Sequence, residues 1–383
     1  MIKRSFSRRG FSLALLLCCL PTWAGAQIAA PPPPNLNARG YLLVDFDSGR
    51  VLASKNADQT MEPASITKLM TAYVVFRAIR SGQVNLDDEV VVSEKAWRTT
   101  GSRMFIEVGK KVQVADLLQG MIVQSGNDAS VALAEYVAGT EESFAQIMNQ
   151  LARELGMSKS NYRNSTGLPA EGHVTSAEDI ATLASALIRE FPDYYAWYSQ
   201  REYTFNGITQ ANRNGLLTRD SSVDGMKTGH TESAGYCLVS SAERDGMRLI
   251  AVVLGTKSNT ARVNDSQALI NYGFRFFETH KLWEAGEVVS DTRVWKGTSE
   301  QTELVVQTPV HVTIPRGSLE QLETRLELPD AVLAPLNTTT PVGTVQAVLG
   351  INTVASAPVY SQAPVEEAGL LSSTWDELLL WFQ

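Results

Sequence analysis

Three short motifs in this chain contain the residue types of nucleophilic catalysis. Ser65 stands three positions before Lys68, an S-G-N motif runs from Ser125 to Asn127, and a K-T-G motif begins at Lys227. Positions i and i+3 share one face of a helix, so the Lys68 amine can reach the Ser65 hydroxyl. A serine hydroxyl becomes a good nucleophile only when a base removes its proton. The spacing therefore predicts a serine nucleophile with a lysine as its base.

Lysine can act as this base only in its neutral form. From an ordinary pKa of ~10.4, removing the proton at pH 7 costs about 4–5 kcal/mol. Burial and a nearby second cation both lower the pKa of a lysine. The predicted helix around Lys68 is apolar on nearly all sides, and Lys227 is expected to be the second cation. This apolar frame disfavours the alternative, an ordinary surface lysine.

Other catalytic arrangements find less support. The sequence has no serine in a G-x-S-x-G motif, no H-E-x-x-H and no clustered cysteines, so Ser-His-Asp hydrolysis and metal chemistry are disfavoured. We expect neither a metal nor a cofactor. Each of the three motifs is weak alone, since S-x-N also occurs at residues 54–56. The ordered set is far more specific than its members.

The elements that position these motifs mix helices and strands. Apolar residues surround a long helix that is predicted to begin at Pro63, as in a helix buried inside a domain. Further helices are predicted over 116–123, 128–137, 177–191 and 262–277, and strands over 41–44, 51–53, 236–242 and 248–254. A D-G pair joins the last two strands as a hairpin. This mixture, without a strict βα repeat, predicts an α+β domain with an antiparallel sheet over residues 39–281.

The chain changes character after about residue 282. Short β-type runs at 305–306, 310–314, 322–328, 342–348 and 354–360 are separated by turn residues. This spacing predicts a small all-β sandwich over residues 282–365. We find no catalytic grouping in it.

The N-terminus predicts export. Residues 1–10 are basic, residues 11–20 are apolar, and an A-x-A pattern occupies residues 24–26. The apolar run is too short for a transmembrane helix of ~20 residues, so residues 1–26 are interpreted as a signal peptide. A proline-rich leader follows over 27–38. Only Cys237 remains in the mature chain, which excludes an internal disulfide.

The charge of the mature chain argues against one class of partner. The signal peptide contains four cations and no acid, which leaves 29 cations against 41 acids, or −12. A body this acidic repels polyanions, so nucleic acid is not expected as a partner.

The C-terminal segment, residues 366–383, is predicted to be an amphipathic helix. Leu371, Trp375, Leu378 and Phe382 fall within about 60° of one another at 100° per residue. The amphipathic pattern itself covers residues 370–383, and about 14 residues extend only ~21 Å, too short to span a bilayer. We therefore expect a helix that lies on the membrane surface. The alternative is a terminal helix docked on its own protein.

The three motifs and their surroundings resemble the serine penicillin-recognising enzymes. They are similar to the low-molecular-mass D-alanyl-D-alanine carboxypeptidases of the penicillin-binding protein 5 and 6 type. The matching stretches are P-A-S-I-T-K-L-M-T from residue 63, Q-S-G-N-D-A from residue 124 and D-G-M-K-T-G-H-T from residue 224. The resemblance covers essentially the whole mature chain. It implies a β-lactamase/transpeptidase-like catalytic domain, followed by the β sandwich and the amphipathic helix.

The resemblance also implies an activity and its catalytic residues. The enzyme would remove the terminal D-Ala from peptidoglycan pentapeptides in the periplasm, anchored peripherally to the outer surface of the inner membrane by its C-terminal helix. Ser65 would be acylated and Lys68 would be the base. Ser125 and Asn127 would relay protons and hold the substrate amide.

Substrate binding would use the K-T-G strand. By the same resemblance, Lys227, Thr228 and Gly229 would bind the carboxylate side of the substrate. The backbone N–H groups of Ser65 and His230 would form an oxyanion hole, a device that typically contributes ~3–4 kcal/mol.

Two arginines are additional candidates for the terminal carboxylate. Arg213 precedes the K-T-G strand and Arg262 opens the predicted helix after the hairpin. A guanidinium binds a carboxylate through two parallel hydrogen bonds and stays charged. An ordinary surface arginine remains the alternative for both.

Two other functions stay open from the sequence. A β-lactamase is the nearer one, but the middle motif is S-G-N, where class A β-lactamases carry S-D-N, and E-x-x-L-N is absent. Without that glutamate, β-lactam antibiotics are expected to inhibit the protein covalently. A non-catalytic protein that binds penicillin or the cell wall is the second. A DD-endopeptidase variant, which cuts crosslinks instead of the peptide tip, has the same motifs as the carboxypeptidase.

Overall fold

The computed structural model describes residues 30–369. The predicted signal peptide, the first residues of the leader and all but the start of the predicted amphipathic segment therefore lie outside the described residues. Within 30–369, no helix combines the length and the apolar character needed to cross a membrane.

A five-stranded antiparallel sheet forms the centre of the first domain. Its strands, in chain order, are β1 (Gly40–Asp45), β2 (Val51–Lys55), β7 (Val223–Thr231), β8 (Gly235–Arg244) and β9 (Met247–Thr256). Their order across the sheet is β2-β1-β9-β8-β7. Asp245 and Gly246 both have positive φ angles, as the predicted two-residue hairpin requires. The predicted antiparallel sheet is thus confirmed, and the K-T-G strand β7 lies at its edge.

Helices surround this sheet, together with two small ribbons, β3 (Glu89–Val91) with β4 (Lys111–Gln113) and β5 (Glu202–Phe205) with β6 (Ile208–Ala211). The helices are α1 (Lys68–Arg80), α2 (Glu94–Arg98), α3 (Val114–Gln124), α4 (Asn127–Ala138), α5 (Glu141–Glu154), α6 (Ala177–Glu190), α7 (Pro192–Tyr195), α8 (Leu216–Arg219) and α9 (Asn259–Phe276). The five main predicted helices are present, with ends shifted by a few residues.

The central helix α1 is buried around its circumference, as predicted. Leu69, Met70 and Phe76 are fully enclosed by the surrounding helices. The helix does not begin at Pro63, however, because a 3₁₀ turn covers Ala64–Thr67 and α1 starts at Lys68. Ala64 has a φ of +47°, a conformation that a continuous α-helix excludes.

The second domain is built from strands alone, apart from one short 3₁₀ turn in the described range. Its strands are β10 (Phe277–Trp283), β11 (Val288–Arg293), β12 (Gln301–Val305), β13 (Val310–Pro315), β14 (Leu322–Glu327), β15 (Pro341–Leu349) and β16 (Asn352–Ser361). Five of them form a sheet in the order β11-β12-β16-β15-β14, and β10 pairs with β13. Val312 and Ile314 on β13 pack against Ala347 and Leu349 on β15, which gives two apolar layers.

The junction between the domains differs in detail from the expected boundary at 281/282. Strand β10 already begins at Phe277, directly after α9, because it pairs with β13 of the second domain. Polar contacts bind the two parts together: Thr279 Oγ1 donates to Asp45 Oδ2 at 2.7 Å, and the hydroxyls of Ser48 and Thr313 are 2.5 Å apart.

Candidate active site

The fold brings all three motifs to one cleft of about 440 Å³. Ser65 lies in the 3₁₀ turn before α1, Ser125 lies between α3 and α4, and the K-T-G motif lies on the edge strand β7. The residues that line the cleft are Ser65, Gly101, Ser102, Ser125, Arg213, Thr228, Gly229, His230, Tyr236, Asn259 and Arg262. Lys68 and Lys227 are buried behind this lining, with 1% and 3% of their surface exposed.

The Lys68 amine is held by three neighbours. Its Nζ lies 3.1 Å from Ser65 Oγ, 2.7 Å from Asn127 Oδ1 and 2.6 Å from the Thr166 carbonyl oxygen. A neutral amine has two N–H groups and one lone pair. The two carbonyl-type oxygens can only accept hydrogen bonds, so they bind the two N–H groups. The lone pair is then left for the Ser65 hydroxyl, which is the arrangement that a general base needs.

The surroundings shift Lys68 toward this neutral form. Burial lowers the pKa of Lys68 to about 7, and the Arg213 cation adds to the shift, while Asp128 and Glu141 oppose it. The sequence analysis named Lys227 as the second cation. The cation that chiefly adds to burial at Lys68 is Arg213, and Lys227 is itself perturbed: burial lowers its pKa well below the ordinary value, with Lys68 contributing.

Ser125 offers an unused hydroxyl at the cleft. It caps the C-terminus of α3 in the left-handed conformation, with a φ of +66°. Its Oγ is buried and has no hydrogen-bond partner within residues 30–369. A buried hydroxyl without a partner is uncommon, and here it borders the cleft, where a bound molecule can satisfy it.

Asn127 holds Lys68 and is also tied to the cleft wall. Besides accepting from Lys68, its side chain donates from Nδ2 to the Thr100 carbonyl at 2.6 Å. These two bonds fix the orientation of the amide. In this structure Asn127 therefore orients the lysine, whereas the resemblance implied a hold on the substrate amide.

The K-T-G strand runs directly against the turn that contains Ser65. A Cβ atom on Gly229 would lie 2.9 Å from the Pro63 carbonyl oxygen, so only glycine allows this close approach. Thr228 lines the cleft, and Lys227 donates to the Thr228 carbonyl at 3.1 Å. The predicted residues of β7 are thus next to the serine.

The two candidate arginines differ in their environment. Arg262 is buried, and its Nη1 donates to the carbonyls of Gly229 at 3.0 Å and Cys237 at 3.3 Å, so it fastens β7 to β8. Arg213 is exposed on the cleft wall. Arg213 is consequently the better placed of the two for a carboxylate that enters the cleft. The exposed His230 ring stacks on Tyr236 with 3.9 Å between ring centroids.

Several residues at the site were missed by the sequence analysis. Thr166 contributes a backbone carbonyl, which has no sequence signature. A Cβ on Gly167 would lie 1.8 Å from the Ala64 carbonyl oxygen, so this loop presses on the turn that contains Ser65. Asp128 accepts from the N–H groups of three consecutive residues, 104–106, at 3.0, 2.9 and 3.3 Å. Its position directly after S-G-N was the available signal.

The usual metal-ligating side chains are not clustered in the described part of the chain. Within residues 30–369, no group of three or more His, Cys, Asp or Glu side chains is arranged to hold a metal ion. The side chains at the site carry hydroxyl, amine, guanidinium, amide and imidazole groups.

Comparisons with known proteins agree with this arrangement. Residues 26–258 match the family model described as D-alanyl-D-alanine carboxypeptidase, peptidase S11, and residues 277–367 match the C-terminal domain of penicillin-binding protein 5. The D-alanyl-D-alanine carboxypeptidase DacC of Escherichia coli is 42% identical over 96% of this chain and 94% of its own length.

Solved structures give the same result. Penicillin-binding protein 5 from Haemophilus influenzae superposes with a TM-score of 0.86 at 40% identity, over 88% of this chain and 100% of that one. Penicillin-binding protein D2 from Listeria monocytogenes, in an ampicillin-bound form, has a TM-score of 0.59 at 32% identity over 64% of this chain and 100% of that chain. With a family model covering more than half of its length, the chain belongs to the peptidase S11 family of D-alanyl-D-alanine carboxypeptidases.

Proposed function

We propose that this chain is a serine-type D-alanyl-D-alanine carboxypeptidase that removes the terminal D-Ala from peptidoglycan pentapeptides. The observation that carries the proposal is the buried Lys68 amine, with a pKa lowered to about 7 and a position 3.1 Å from Ser65 Oγ. The names of the relatives, which match nearly the whole chain, support the same substrate class.

The first half of the reaction forms an acyl-enzyme. Neutral Lys68 takes the proton from Ser65, and Oγ attacks the carbonyl carbon of the peptide bond between the two D-Ala residues. The carbonyl oxygen becomes an oxyanion, which the N–H groups of Ser65 and His230 stabilise. When the intermediate collapses, the C–N bond breaks and the D-Ala nitrogen receives a proton through Ser125, whose hydroxyl has no other partner in the described structure.

Substrate orientation comes from the cations of the cleft. The pentapeptide ends in a carboxylate, and Arg213 and Thr228 line the cleft where it would bind. Lys227 lies buried behind this lining. Bidentate pairing with a guanidinium favours a free C-terminal carboxylate over an internal peptide bond, which fits removal of the last residue.

The second half of the reaction consumes water. Lys68, again neutral, takes a proton from a water molecule, which attacks the ester and releases the shortened peptide while Ser65 regains its proton. None of the described residues that line the cleft carries a carboxylate. A β-lactam ester on Ser65 therefore lacks a dedicated carboxylate base, so we infer that β-lactams inhibit the protein rather than being destroyed by it.

We also propose a location. Residues 1–26 would direct export to the periplasm, and the segment 366–383 would attach the protein peripherally to the outer surface of the inner membrane through its apolar face. The acidic mature chain is compatible with this location, and we do not expect nucleic acid among its partners.

The decisive test is release of D-Ala from a synthetic pentapeptide. Wild-type protein is expected to release one D-Ala per peptide, and Ser65→Ala is expected to release none. Ser54→Ala, at an exposed position of strand β2 in the other S-x-N sequence, is the matched control and should retain full activity. Rapid turnover of a chromogenic cephalosporin would instead favour a β-lactamase. Stable penicillin labelling without D-Ala release would favour a non-catalytic binding protein.

A further inference from the structure

Glu141 is a buried acid close to the catalytic lysine. It is the first residue of α5 and only 8% exposed. Both of its carboxylate oxygens are engaged: Oε1 accepts from the Ser165 N–H at 3.0 Å and from the Ser165 hydroxyl at 2.7 Å, and Oε2 lies 3.1 Å from Lys95 Nζ. A buried carboxylate is retained in proteins only when such partners compensate its desolvation.

The Ser165 contact leads directly to the first turn of α1. The Ser165 carbonyl accepts from Thr71 Oγ1 at 2.6 Å, and the next carbonyl, that of Thr166, accepts from Lys68 Nζ at 2.6 Å. Glu141 therefore anchors a two-residue segment whose carbonyls bind two side chains of one helix turn. One of those side chains is the base of the proposed reaction.

We propose that Glu141 is a positioning residue for the reaction at Ser65, which it serves by holding the Thr166 carbonyl against the Lys68 amine. The inference rests on the proposed function. Glu141 is absent from the lining of the cleft, so it acts through Lys68 rather than on the substrate.

The negative charge of Glu141 also affects the protonation of the Lys68 amine. The charged groups that face Lys68 are Arg213, which lowers its pKa, Asp128 and Glu141, which raise it, and the neighbouring Lys227. Lys68 must be neutral to accept the Ser65 proton and protonated to return it. Burial and cations both favour the neutral amine, whereas the two carboxylates favour the protonated one. An anion nearby keeps both forms accessible near pH 7.

Glu141 itself faces charged groups on other elements. Lys95 on α2 bridges Glu141 and Glu142, and Glu141 also raises the pKa of His173 in the opposite loop. Asp128 raises the pKa of Lys68 as well, and its oxygens also accept from the backbone N–H groups of residues 104–106.

The test is the pH profile of Ser65 acylation by a fluorescent penicillin, measured with the full mature chain. Glu141→Gln keeps an oxygen that can accept from Ser165 but removes the negative charge. We expect the acid limb of its profile to move to lower pH by about half a unit, with an unchanged rate at high pH. Glu142→Gln, the same change one residue later on an exposed side chain, is expected to leave the profile unchanged.

Two further variants separate tuning from simple support. Glu141→Ala also removes the side-chain oxygen that accepts from Ser165. It is therefore expected to shift the acid limb as much as Glu141→Gln does and to lower the acylation rate at high pH about tenfold. Lys95→Met changes an exposed residue and is expected to move the acid limb of the acylation profile to higher pH. This variant tests the role of Glu141 if the Glu141 variants do not fold. A wild-type profile in Glu141→Gln, or in Lys95→Met, overturns the inference. Loss of labelling in the wild type would instead reject the proposed function.

Discussion

Lys68 Nζ and Ser65 Oγ lie 3.1 Å apart, yet they face different surroundings. The amine is 1% exposed within the core of the domain, whereas Ser65 is half-buried and lines the cleft. The change from 3₁₀ turn to α-helix between these two residues produces this arrangement. A desolvated amine therefore lies behind a hydroxyl that a molecule in the cleft can reach.

Replacing Lys68 by arginine is expected to abolish acylation without removing the positive charge. A guanidinium stays protonated at all working pH values, so it cannot take the Ser65 proton. We expect the rate of penicillin labelling to fall on the order of 10²- to 10⁴-fold. Lys55→Arg, on the exposed end of β2, is the control and should label normally. A Lys68→Arg rate within tenfold of the wild type would mean that Lys68 is not the base.

Replacing Arg213 by glutamine is expected to have two separable effects. The Arg213 cation lowers the pKa of Lys68. Without it, that pKa rises, so the acid limb of the acylation profile should move to higher pH. Loss of a charged hydrogen-bond donor for the terminal carboxylate should also raise the KM for pentapeptide about 10- to 100-fold. Steady-state kinetics across pH 5–9 measure both effects, and an unshifted limb with an unchanged KM would contradict this role.

Replacing Gly167 by alanine is expected to damage both stability and the site. The added Cβ would lie 1.8 Å from the Ala64 carbonyl oxygen, and Gly167 has a φ of +81°. Gly139→Ala is the matched control, with a φ of +77° and no atom within 4 Å of the added Cβ. The control isolates the backbone strain of about 1–2 kcal/mol. We expect Gly167→Ala to lose at least about 2 kcal/mol more in urea unfolding, with slower acylation. Equal losses in both variants would show that the contact is unimportant.

Acidification is expected to weaken the fold through His173. This side chain is buried, its Nδ1 accepts from the Arg163 N–H at 3.3 Å, and its Nε2 lies 2.9 Å from Thr67 Oγ1. Burial lowers the pKa of His173 to about 4, with Arg163 contributing. In the unfolded chain His173 binds a proton near pH 6.5, whereas in the folded chain it does not. The stability that comes from neutral His173 is therefore complete above pH 6.5 and is lost as the pH falls toward 4.

The size of this loss can be measured by urea unfolding between pH 7.5 and 4. A pKa difference of roughly 2.5 units corresponds to about 3 kcal/mol. His173→Gln cannot take up the proton, so its unfolding free energy should depend less steeply on pH in this window. Parallel pH dependences for the wild type and this variant would show that His173 is not responsible.

Local sequence patterns were sufficient for much of the fold. The buried helix α1, the D-G hairpin of β8 and β9, and the later β strands were predicted because periodicity and turn residues are local properties. Strand β10 was missed, since the apolar pattern of α9 continues into Phe277 and only pairing with β13 defines the strand. The start of α1 was misplaced because the conformation of Ala64 depends on its tertiary contacts.

The site was predictable where side chains carry the chemistry and not where the backbone does. Ser65, Lys68 and Lys227 were identified from their types and order. Thr166 acts through its carbonyl, and the role of Glu141 depends on contacts with residues far away in the sequence. The different roles of Arg213 and Arg262 also became clear only in the structure. Arg262 is buried and binds carbonyls of two neighbouring strands, so it fastens the sheet.

The central claim is that a neutral, buried amine makes one serine hydroxyl reactive enough to take an acyl group. Mass spectrometry of the intact protein after incubation with penicillin tests it most directly. The wild type is predicted to gain the mass of one penicillin, mapped to the peptide that contains Ser65, and Ser65→Ala is predicted to gain none. An unmodified wild-type protein, or an adduct of the same yield on Ser65→Ala, would contradict the account.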